Sequence, residues 1–363
     1  MGLQEILFFL SGLFLLVIGA EALVRGSSRL AAIAGVSPLV IGLTIVAFGT
    51  SSPETAVSVV SSIKGQADLS VGNVVGSNIF NILCILGLSA LIIPLGVSRQ
   101  LIRFDVPVMI LSSALLFLFG LNGNISRGEG VIFLTGIFAY TGILLYKSKK
   151  ESAAIKEEYE KEFGFHNGRS LKKWAVNILL IIIGLALLVI GSKWLVDGAT
   201  AMARSLGASE LIVGLTIVAA GTSLPELATS VLASIRGERD IAVGNIIGSN
   251  VYNILGVLGL SSVVNAGGIK VSRAATAFDI PVMAAVAAAC LPVFLTGRMI
   301  SRWEGALFFA YYLAYTAYLI LLATGHHFTG AYAFWFSSAI IPATIVVLLF
   351  TLISGLRRAR RKP

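Results

Sequence analysis

Two glutamates in apolar surroundings are the residues of this sequence best suited to do chemistry. The segment GLTIVAFGTSSPE, residues 42–54, reappears as GLTIVAAGTSLPE at residues 214–226, and each copy ends in a Pro-Glu pair. A carboxylate left unpaired inside a lipid bilayer costs roughly 2.5–3.5 kcal/mol or more. Because Glu54 and Glu226 occupy matching positions, we expect them to share one task, the binding of a cation.

Oxygen-bearing residues accompany both glutamates at helical spacing. Ala47, Thr50 and Ser51 share a helix face with Glu54, and a proline before each glutamate predicts a kink that frees backbone carbonyls. A second repeated block, GNVVGSNIFN from Gly72 and GNIIGSNVYN from Gly244, adds hydroxyl and amide groups. The candidate metal ligands are Glu54, Glu226, Ala47, Thr50, Ser51, Ser77, Asn81, Ala219, Thr222, Ser223, Ser249 and Asn253.

This set contains oxygen donors and neither histidine nor cysteine, which suits a hard cation such as calcium better than a transition metal. Two ionised carboxylates are neutralised by one divalent cation or by two monovalent cations. Calcium and sodium could therefore compete for the same oxygens. For any single Ser, Thr or Asn, an interhelical hydrogen bond is an equally good interpretation.

The composition places these residues in a membrane. The chain has 56% hydrophobic and 12% charged residues and a mean hydropathy of +0.91, which excludes a water-soluble globule. The long continuous apolar stretches favour helices over a β-barrel. We predict spans near residues 5–34, 38–62, 69–93, 105–120, 128–146, 175–206, 209–235, 240–263, 279–296 and 305–324, and an eleventh near 331–355.

The basic residues predict the orientation. With the N-terminus outside, most of the 27 lysines and arginines fall on the cytoplasmic side, as the positive-inside rule requires, and the C-terminus is cytoplasmic. The net charge of +9 is explained by this bias, so we expect no nucleic-acid partner. We expect a multi-pass protein of the plasma membrane, with the lipid bilayer and transported ions as its partners and no cofactor.

The two copies are related by an inverted repeat. Five spans per repeat is an odd number, so the second copy must enter the membrane from the opposite side, and such repeats place a substrate site at the midplane. We predict an all-α membrane protein with a first five-helix repeat at 1–146, a cytoplasmic linker at 147–174, an inverted five-helix repeat at 175–324, and an extra helix with a basic tail at 325–363.

Other acidic residues are expected to be structural. Asp105 and Asp279 each stand two residues before a proline at the start of a span, which predicts helix N-caps. Ser126 with Glu129 and Ser301 with Glu304 match capping boxes, and Glu21 with Arg25 matches an i,i+4 ion pair.

The repeated motifs GTSSPE with GNVVGSNIFN, and GTSLPE with GNIIGSNVYN, resemble the two alpha-repeats of the calcium:cation antiporter superfamily, in its sodium/calcium exchanger branch of prokaryotic type. The resemblance spans nearly the whole chain. It implies that Glu54 and Glu226 are shared ligands of calcium and sodium, and that Ser77 and Ser249 are sodium ligands. We further expect alternating access, with movement of spans 1 and 6 past the site.

We therefore expect a secondary antiporter, not an enzyme, that exchanges sodium for calcium. Some members of the superfamily carry Asp where this chain has Asn253, and that acid is associated with a potassium requirement. Because Asn81 and Asn253 are both neutral, we predict potassium-independent calcium extrusion. The alternative is proton/calcium exchange, since a buried glutamate can also bind a proton.

Overall fold

The structure, a computed structural model, describes residues 3–163, 171–206 and 209–335, together with 338, 340–344 and 346–347. Long apolar helices dominate this part of the chain because most segments carry too few polar residues for a solvated surface. The first series is α1 (Leu3–Ala34), α2 (Pro38–Thr50), α3 (Ser52–Ile63), α4 (Ala67–Ile92), α5 (Leu101–Gly120) and α6 (Arg127–Phe163).

A second series follows in the same order. It consists of α7 (Leu171–Ser205), α8 (residues 210–221), α9 (Leu224–Ile235), α10 (Arg239–Val264), α11 (Ala275–Leu295) and α12 (Arg302–Ala323), and a short α13 (Thr329–Trp335) follows it. Each helix from α1 to α6 therefore has a counterpart six elements later, in agreement with the predicted duplication. The helical polytopic fold that the sequence predicts is confirmed.

Eight helices in the described part of the chain are long and apolar enough to cross a membrane, and the bent pair α2 and α3 makes a ninth. The predicted seventh span is formed by the shorter α8 and α9. Residues 164–170 of the predicted linker lie outside the described residues, as does most of the predicted eleventh span beyond α13.

π-Helical turns recur at matching places in the two series. GLTIV is π-helical both at Gly42–Val46 and at Gly214–Val218, just before each site motif. Further pairs lie within α4 and α10 and at the starts of α5 and α11. Single π turns rotate the residues that follow them and are common at functional sites.

Two short antiparallel ladders join the halves of the molecule. β1 (Leu95–Gly96) pairs with β4 (Met299–Ile300), and β2 (Asn124–Ile125) pairs with β3 (Ile269–Lys270). Each ladder contains one strand from each series. The connections between helices are thereby hydrogen-bonded across the repeat boundary.

Helices α1 and α7 pack with their backbones in contact. Glycines recur every seven residues on both helices, and each of the six faces the opposite helix: Gly12, Gly19, Gly26, Gly184, Gly191 and Gly198. A Cβ added at Gly191 would lie 2.8 Å from the backbone nitrogen of Leu16, and one at Gly19 would lie 2.9 Å from the carbonyl oxygen of Gly184. Small residues permit such close approach between helices in a membrane. The two helices form one tightly packed pair.

The second half of α1 is bound to the connection between α9 and α10. Glu21 forms the predicted ion pair with Arg25 and also pairs with Arg236, whose Nη2 lies 2.8 Å from Oε1 and whose Nε lies 2.9 Å from Oε2. Two helical turns further on, Ser28 donates a 2.6 Å hydrogen bond to Glu238. These contacts hold the α1–α7 pair against the rest of the bundle.

The predicted capping roles of Asp105 and Asp279 are wrong. Both residues have helical backbone angles and neither side chain makes a capping hydrogen bond. Asp105 instead accepts a 3.0 Å hydrogen bond from the Tyr140 hydroxyl, and Asp279 accepts a 2.9 Å bond from Tyr315. A π turn ends at each aspartate and continues directly into the next helix, so neither aspartate stands at a helix start where unpaired amides need a cap. Both predicted capping boxes, by contrast, are formed.

Candidate cation site

The two repeated motifs lie where helices are interrupted. α2 ends at Thr50 and α3 begins at Ser52 with a bend of 47° between them, and the corresponding break separates α8 from α9 at 222–223. Pro53 and Pro225 lie in the first two positions of α3 and α9, where a missing amide hydrogen costs nothing. Glu54 and Glu226 thus stand in the first turns of two helices, near the partial positive charge of each N-terminus.

Each glutamate is held by a serine of the other repeat. Ser51 donates a 2.8 Å hydrogen bond to Oε1 of Glu226, and Ser223 donates a 2.8 Å bond to Oε1 of Glu54. Both glutamates are fully buried. The exchange of partners places both carboxyl groups in one buried cluster formed by the two repeats.

The second oxygen of each carboxyl group has no protein donor. Oε2 of Glu54 and Oε2 of Glu226 are buried and make no hydrogen bond to any residue that the structure describes. A buried, unpaired carboxylate oxygen is costly unless a proton or a cation satisfies it. The arrangement therefore presents two equivalent oxygen ligands, one from each repeat.

The predicted serines of α4 and α10 have different surroundings. Ser77 lies 3.0 Å from the Ser223 hydroxyl and 3.5 Å from Oε1 of Glu54, so it belongs to the same cluster. Ser249 is fully buried, but its hydroxyl has no hydrogen-bond partner within the described chain.

Each threonine of the GTS.PE motifs contacts an asparagine of the opposite repeat. Thr50 lies 3.1 Å from Oδ1 of Asn245, and Thr222 lies 3.3 Å from Oδ1 of Asn73. Both contacts cross between the repeats. The Thr50 hydroxyl also lies 3.4 Å from the carbonyl oxygen of Ala47, which places that carbonyl in the cluster.

Asn81 and Asn253 belong to a clasp of four amides at the centre of the bundle. Asn81 donates a 3.0 Å hydrogen bond to Oδ1 of Asn250, and Asn253 donates a 3.1 Å bond to Oδ1 of Asn78. The side chains of Asn78 and Asn250 in turn reach each other's backbone carbonyl at 3.2 and 3.4 Å. The Oδ1 atoms of Asn81 and Asn253 remain buried without a partner in the described residues. Four amides thus fix α4 against α10.

The two repeats are not equally packed around the site. A Cβ added at Gly244 would lie 2.9 Å from the Leu39 carbonyl oxygen, and one at Gly248 would lie 2.7 Å from the Leu43 carbonyl oxygen, so α10 is in close contact with α2. At the corresponding Gly72 and Gly76 on α4, a Cβ would meet no described atom within 4 Å. Among the described residues, the interface between α4 and α8 is therefore more open than the interface between α10 and α2.

The same asymmetry affects the predicted ligands. Ala47, Thr50 and Ser51 are all buried. Of their counterparts in the second repeat, Ala219 is exposed, Thr222 is half-buried and Ser223 is buried. The structure brings ten of the twelve predicted residues into one buried region: Glu54, Glu226, Ala47, Thr50, Ser51, Ser77, Asn81, Ser223, Ser249 and Asn253. Thr222 borders this region through Asn73, and Ala219 lies on its open side.

Sequence reasoning missed three groups of residues around the site. The first group is Asn78 and Asn250 of the clasp. The second is Ser58 and Ser230, which accept hydrogen bonds from Asn73 and Asn245. The third is the glycines at which α1 and α7 pack together. All of them recur at the same offset of 172 residues as the glutamates. Repetition at that offset was the signal that could have found them.

The chain is similar to known membrane proteins in sequence and in fold. The sodium/calcium exchanger MaX1 of Methanosarcina acetivorans is 34% identical over 350 residues, which cover 87% of this chain and 98% of that protein. The inner membrane protein YrbG of Escherichia coli is 40% identical over 258 residues, 70% of this chain and 78% of that protein. The solved structure of the sodium/calcium exchanger from Methanococcus jannaschii superposes with a TM-score of 0.74 at 32% identity, covering 87% of this chain and 99% of that chain.

The family model described as sodium/calcium exchanger protein matches residues 5–146 and 176–321, which contain both site motifs and nearly every helix. Members of this family are transporters and not enzymes, in agreement with the prediction. The chain is thus a multi-pass membrane antiporter of calcium and other cations, and it belongs to the sodium/calcium exchanger protein family.

Proposed function

We propose that this protein exchanges sodium for calcium across the plasma membrane, with both ions binding in turn between Glu54 and Glu226. The observation that carries the proposal is the pair of buried Oε2 atoms without protein donors, one on each glutamate. Two carboxylates that repel each other gain most from a ligand with two positive charges, and one calcium ion or two sodium ions supply them.

The neighbouring oxygens would complete the coordination. Calcium accepts six to eight oxygen ligands with flexible geometry. The proposed ligands are the two glutamates, the carbonyls of Ala47 and Ala219, the hydroxyls of Thr50, Ser51, Ser77, Thr222, Ser223 and Ser249, and the amide oxygens of Asn81 and Asn253. Because both ions use oxygen, a rise in sodium would displace calcium by competition.

The asymmetry of the two halves supports alternating access. With the N-terminus outside, the closed interface between α2 and α10 lies on the cytoplasmic side of the glutamates, and the open interface between α4 and α8 lies on the outside. This is the arrangement of an outward-open state. Movement of the α1–α7 pair past the site would close one interface and open the other.

We also propose that transport needs no potassium. A potassium-dependent site would require a further negative charge at the centre, but the side chains at 81 and 253 are neutral amides whose NH2 groups are engaged in the clasp. Vesicles containing the purified protein should therefore show the same calcium flux with potassium or choline as the balancing cation. Complete loss of calcium flux in the absence of potassium would contradict this part of the proposal.

Flux in reconstituted vesicles tests the sodium coupling. Vesicles loaded with sodium and diluted into sodium-free medium should take up calcium, because sodium leaving down its gradient drives calcium inward. Glu54→Gln and Glu226→Gln should each abolish the uptake, since each removes half of the central charge. Glu129→Gln is the matched control, because Glu129 caps α6 outside the site and glutamine can also complete a capping box.

Proton/calcium exchange is the rival, since a proton could satisfy a buried carboxylate oxygen in place of sodium. An imposed pH gradient without sodium distinguishes the two. Calcium uptake driven by the pH gradient alone, at the rate seen with a sodium gradient, would favour the rival.

A further inference from the structure

Two asparagines outside the predicted ligand set each contact both repeats at the edge of the site. The side-chain NH2 of Asn73 on α4 lies 2.9 Å from the Ser58 hydroxyl and 3.3 Å from the backbone carbonyl of Glu54. Its Oδ1 lies 3.3 Å from the hydroxyl of Thr222, in the other repeat. Asn73 thus connects the helix that carries Glu54 to the motif that carries Glu226.

Asn245 on α10 repeats this arrangement from the other side. Its NH2 donates a 2.9 Å hydrogen bond to the Ser230 hydroxyl on α9, one turn beyond Glu226, and its Oδ1 lies 3.1 Å from the hydroxyl of Thr50. Asn245 and Ser230 are fully buried, and Thr50 is 1% exposed. Two chains of three side chains, Ser58–Asn73–Thr222 and Ser230–Asn245–Thr50, therefore flank the glutamates.

The chemistry of these contacts fixes the direction of the threonine hydroxyl. A backbone carbonyl can only accept, so the contact with Glu54 requires the NH2 of Asn73 to point toward α3 and its Oδ1 toward Thr222. An amide oxygen also only accepts, so Thr222 donates its proton to Oδ1 of Asn73. The Thr50 hydroxyl has two acceptors, Oδ1 of Asn245 at 3.1 Å and the Ala47 carbonyl at 3.4 Å, and the amide oxygen is the nearer one. The lone pairs of the threonine oxygen are then directed away from the asparagine and are free to contact a cation.

We propose that Asn73 and Asn245 are positioning residues that turn the hydroxyls of Thr222 and Thr50 into cation acceptors. Without the asparagine, each hydroxyl could rotate and donate to a nearby carboxylate, where it would compete with the cation. The same asparagines hold Glu54 and Glu226 in register with the opposite motif through Ser58 and Ser230. This inference rests on the proposed cation site between the two glutamates.

Direct binding of calcium to the purified, detergent-solubilised protein tests the proposal through a double-mutant cycle. Asn245→Ala and Thr50→Val should each weaken calcium binding about tenfold, the loss expected for one oriented ligand. Because the asparagine acts through the threonine, the double variant should be no weaker than either single variant. Multiplied losses, near a hundredfold in the double variant, would show that the two residues act independently and would overturn the proposal.

Three controls separate positioning from a general structural effect. Thr50→Ser keeps a hydroxyl and should recover most of the affinity that Thr50→Val loses. Asn177→Ala removes another buried amide, whose 2.8 Å hydrogen bond goes to Lys173 of its own helix, and should leave calcium affinity unchanged. Should Asn245→Ala fail to fold, the half-buried pair Asn73→Ala and Thr222→Val provides the same cycle.

Failure of the inference and failure of the proposed function give different results. If the unsubstituted protein does not bind calcium, the proposed function is wrong. If it binds calcium and Asn245→Ala binds equally well, the cation site stands and the positioning role of the asparagine is refuted.

Discussion

Ser51 donates a 2.8 Å hydrogen bond to the carboxyl group of Glu226, a residue of the opposite repeat. The reciprocal bond joins Ser223 to Glu54 at the same distance. Neither glutamate is therefore oriented by a serine of its own motif, and each half of the site is incomplete without the other half. This exchange makes the relative position of the two repeats a determinant of cation affinity.

Removal of either serine hydroxyl should weaken cation binding. A hydrogen bond to a buried charged group is worth about 1.5–3 kcal/mol, so Ser51→Ala and Ser223→Ala should each lower calcium affinity by roughly tenfold to a hundredfold. Calcium titration of the purified variants measures the effect. Ser52→Ala is the matched control, since Ser52 is exposed and donates to the Phe48 carbonyl of its own chain segment. An equal loss in all three variants would argue against the serine–glutamate exchange.

The contact between α1 and α7 should tolerate no side chain at its glycines. In Gly191→Ala the new methyl group would lie 2.8 Å from the backbone nitrogen of Leu16, and such overpacking costs about 1–3 kcal/mol. We expect a lower thermal unfolding temperature in detergent and slower calcium flux.

Gly142→Ala is the control for that experiment. Gly142 lies within α6, and a Cβ there would meet no described atom within 4 Å. Alanine in place of glycine should stabilise this helix by roughly 0.5–1 kcal/mol. The interpretation of the α1–α7 contact is wrong if Gly191→Ala is as stable as Gly142→Ala.

Labelling with a membrane-impermeant thiol reagent should report the open side of the site. The natural cysteines, Cys84 and Cys290, are buried and can be replaced by alanine. In that background Gly76→Cys places a thiol at the open interface, and it should react from the outside of right-side-out vesicles. Ala242→Cys, at a fully buried position on α10, should not react. Labelling of Gly76→Cys only from the cytoplasmic side would reverse the proposed orientation.

The Asp105–Tyr140 hydrogen bond should contribute more to stability than its counterpart between Asp279 and Tyr315. Asp105 is fully buried, whereas Asp279 is half-buried, so water can replace the lost donor only at the second position. Tyr140→Phe should lower the free energy of unfolding by about 1–3 kcal/mol, and Tyr315→Phe by less. Both variants keep the ring that stacks on the neighbouring phenylalanine. Thermal unfolding that ranks the variants in the opposite order would contradict this account.

The sequence predicted the parts of the fold that depend on local composition and on repetition. Apolar runs of membrane length, prolines beside the glutamates and the offset of 172 residues indicated the helices, the breaks and the duplicated polar set. Glu54, Glu226 and most of their polar neighbours were identified from these signals. The π turns before them were not predicted, because an extra residue in a helical turn depends on the packing around it.

The misassigned aspartates illustrate the limit of local signals. Asp105 precedes Pro107 at a predicted span start, and nothing in that segment indicates that Tyr140 on another helix supplies its donor. A capping residue and a buried residue with a distant partner have the same local sequence. The position of the partner is a property of helix packing.

By itself the sequence determined that this is a helical membrane protein with two similar halves and two buried carboxylates. Only the tertiary structure decided that each carboxylate is held by the opposite half, and that α2 is packed closely against α10 while the described residues of α8 and α4 are packed more openly. The physical reason is that two nearly identical segments have the same local preferences. Which of the two is packed and which is open depends on contacts between residues far apart in the chain.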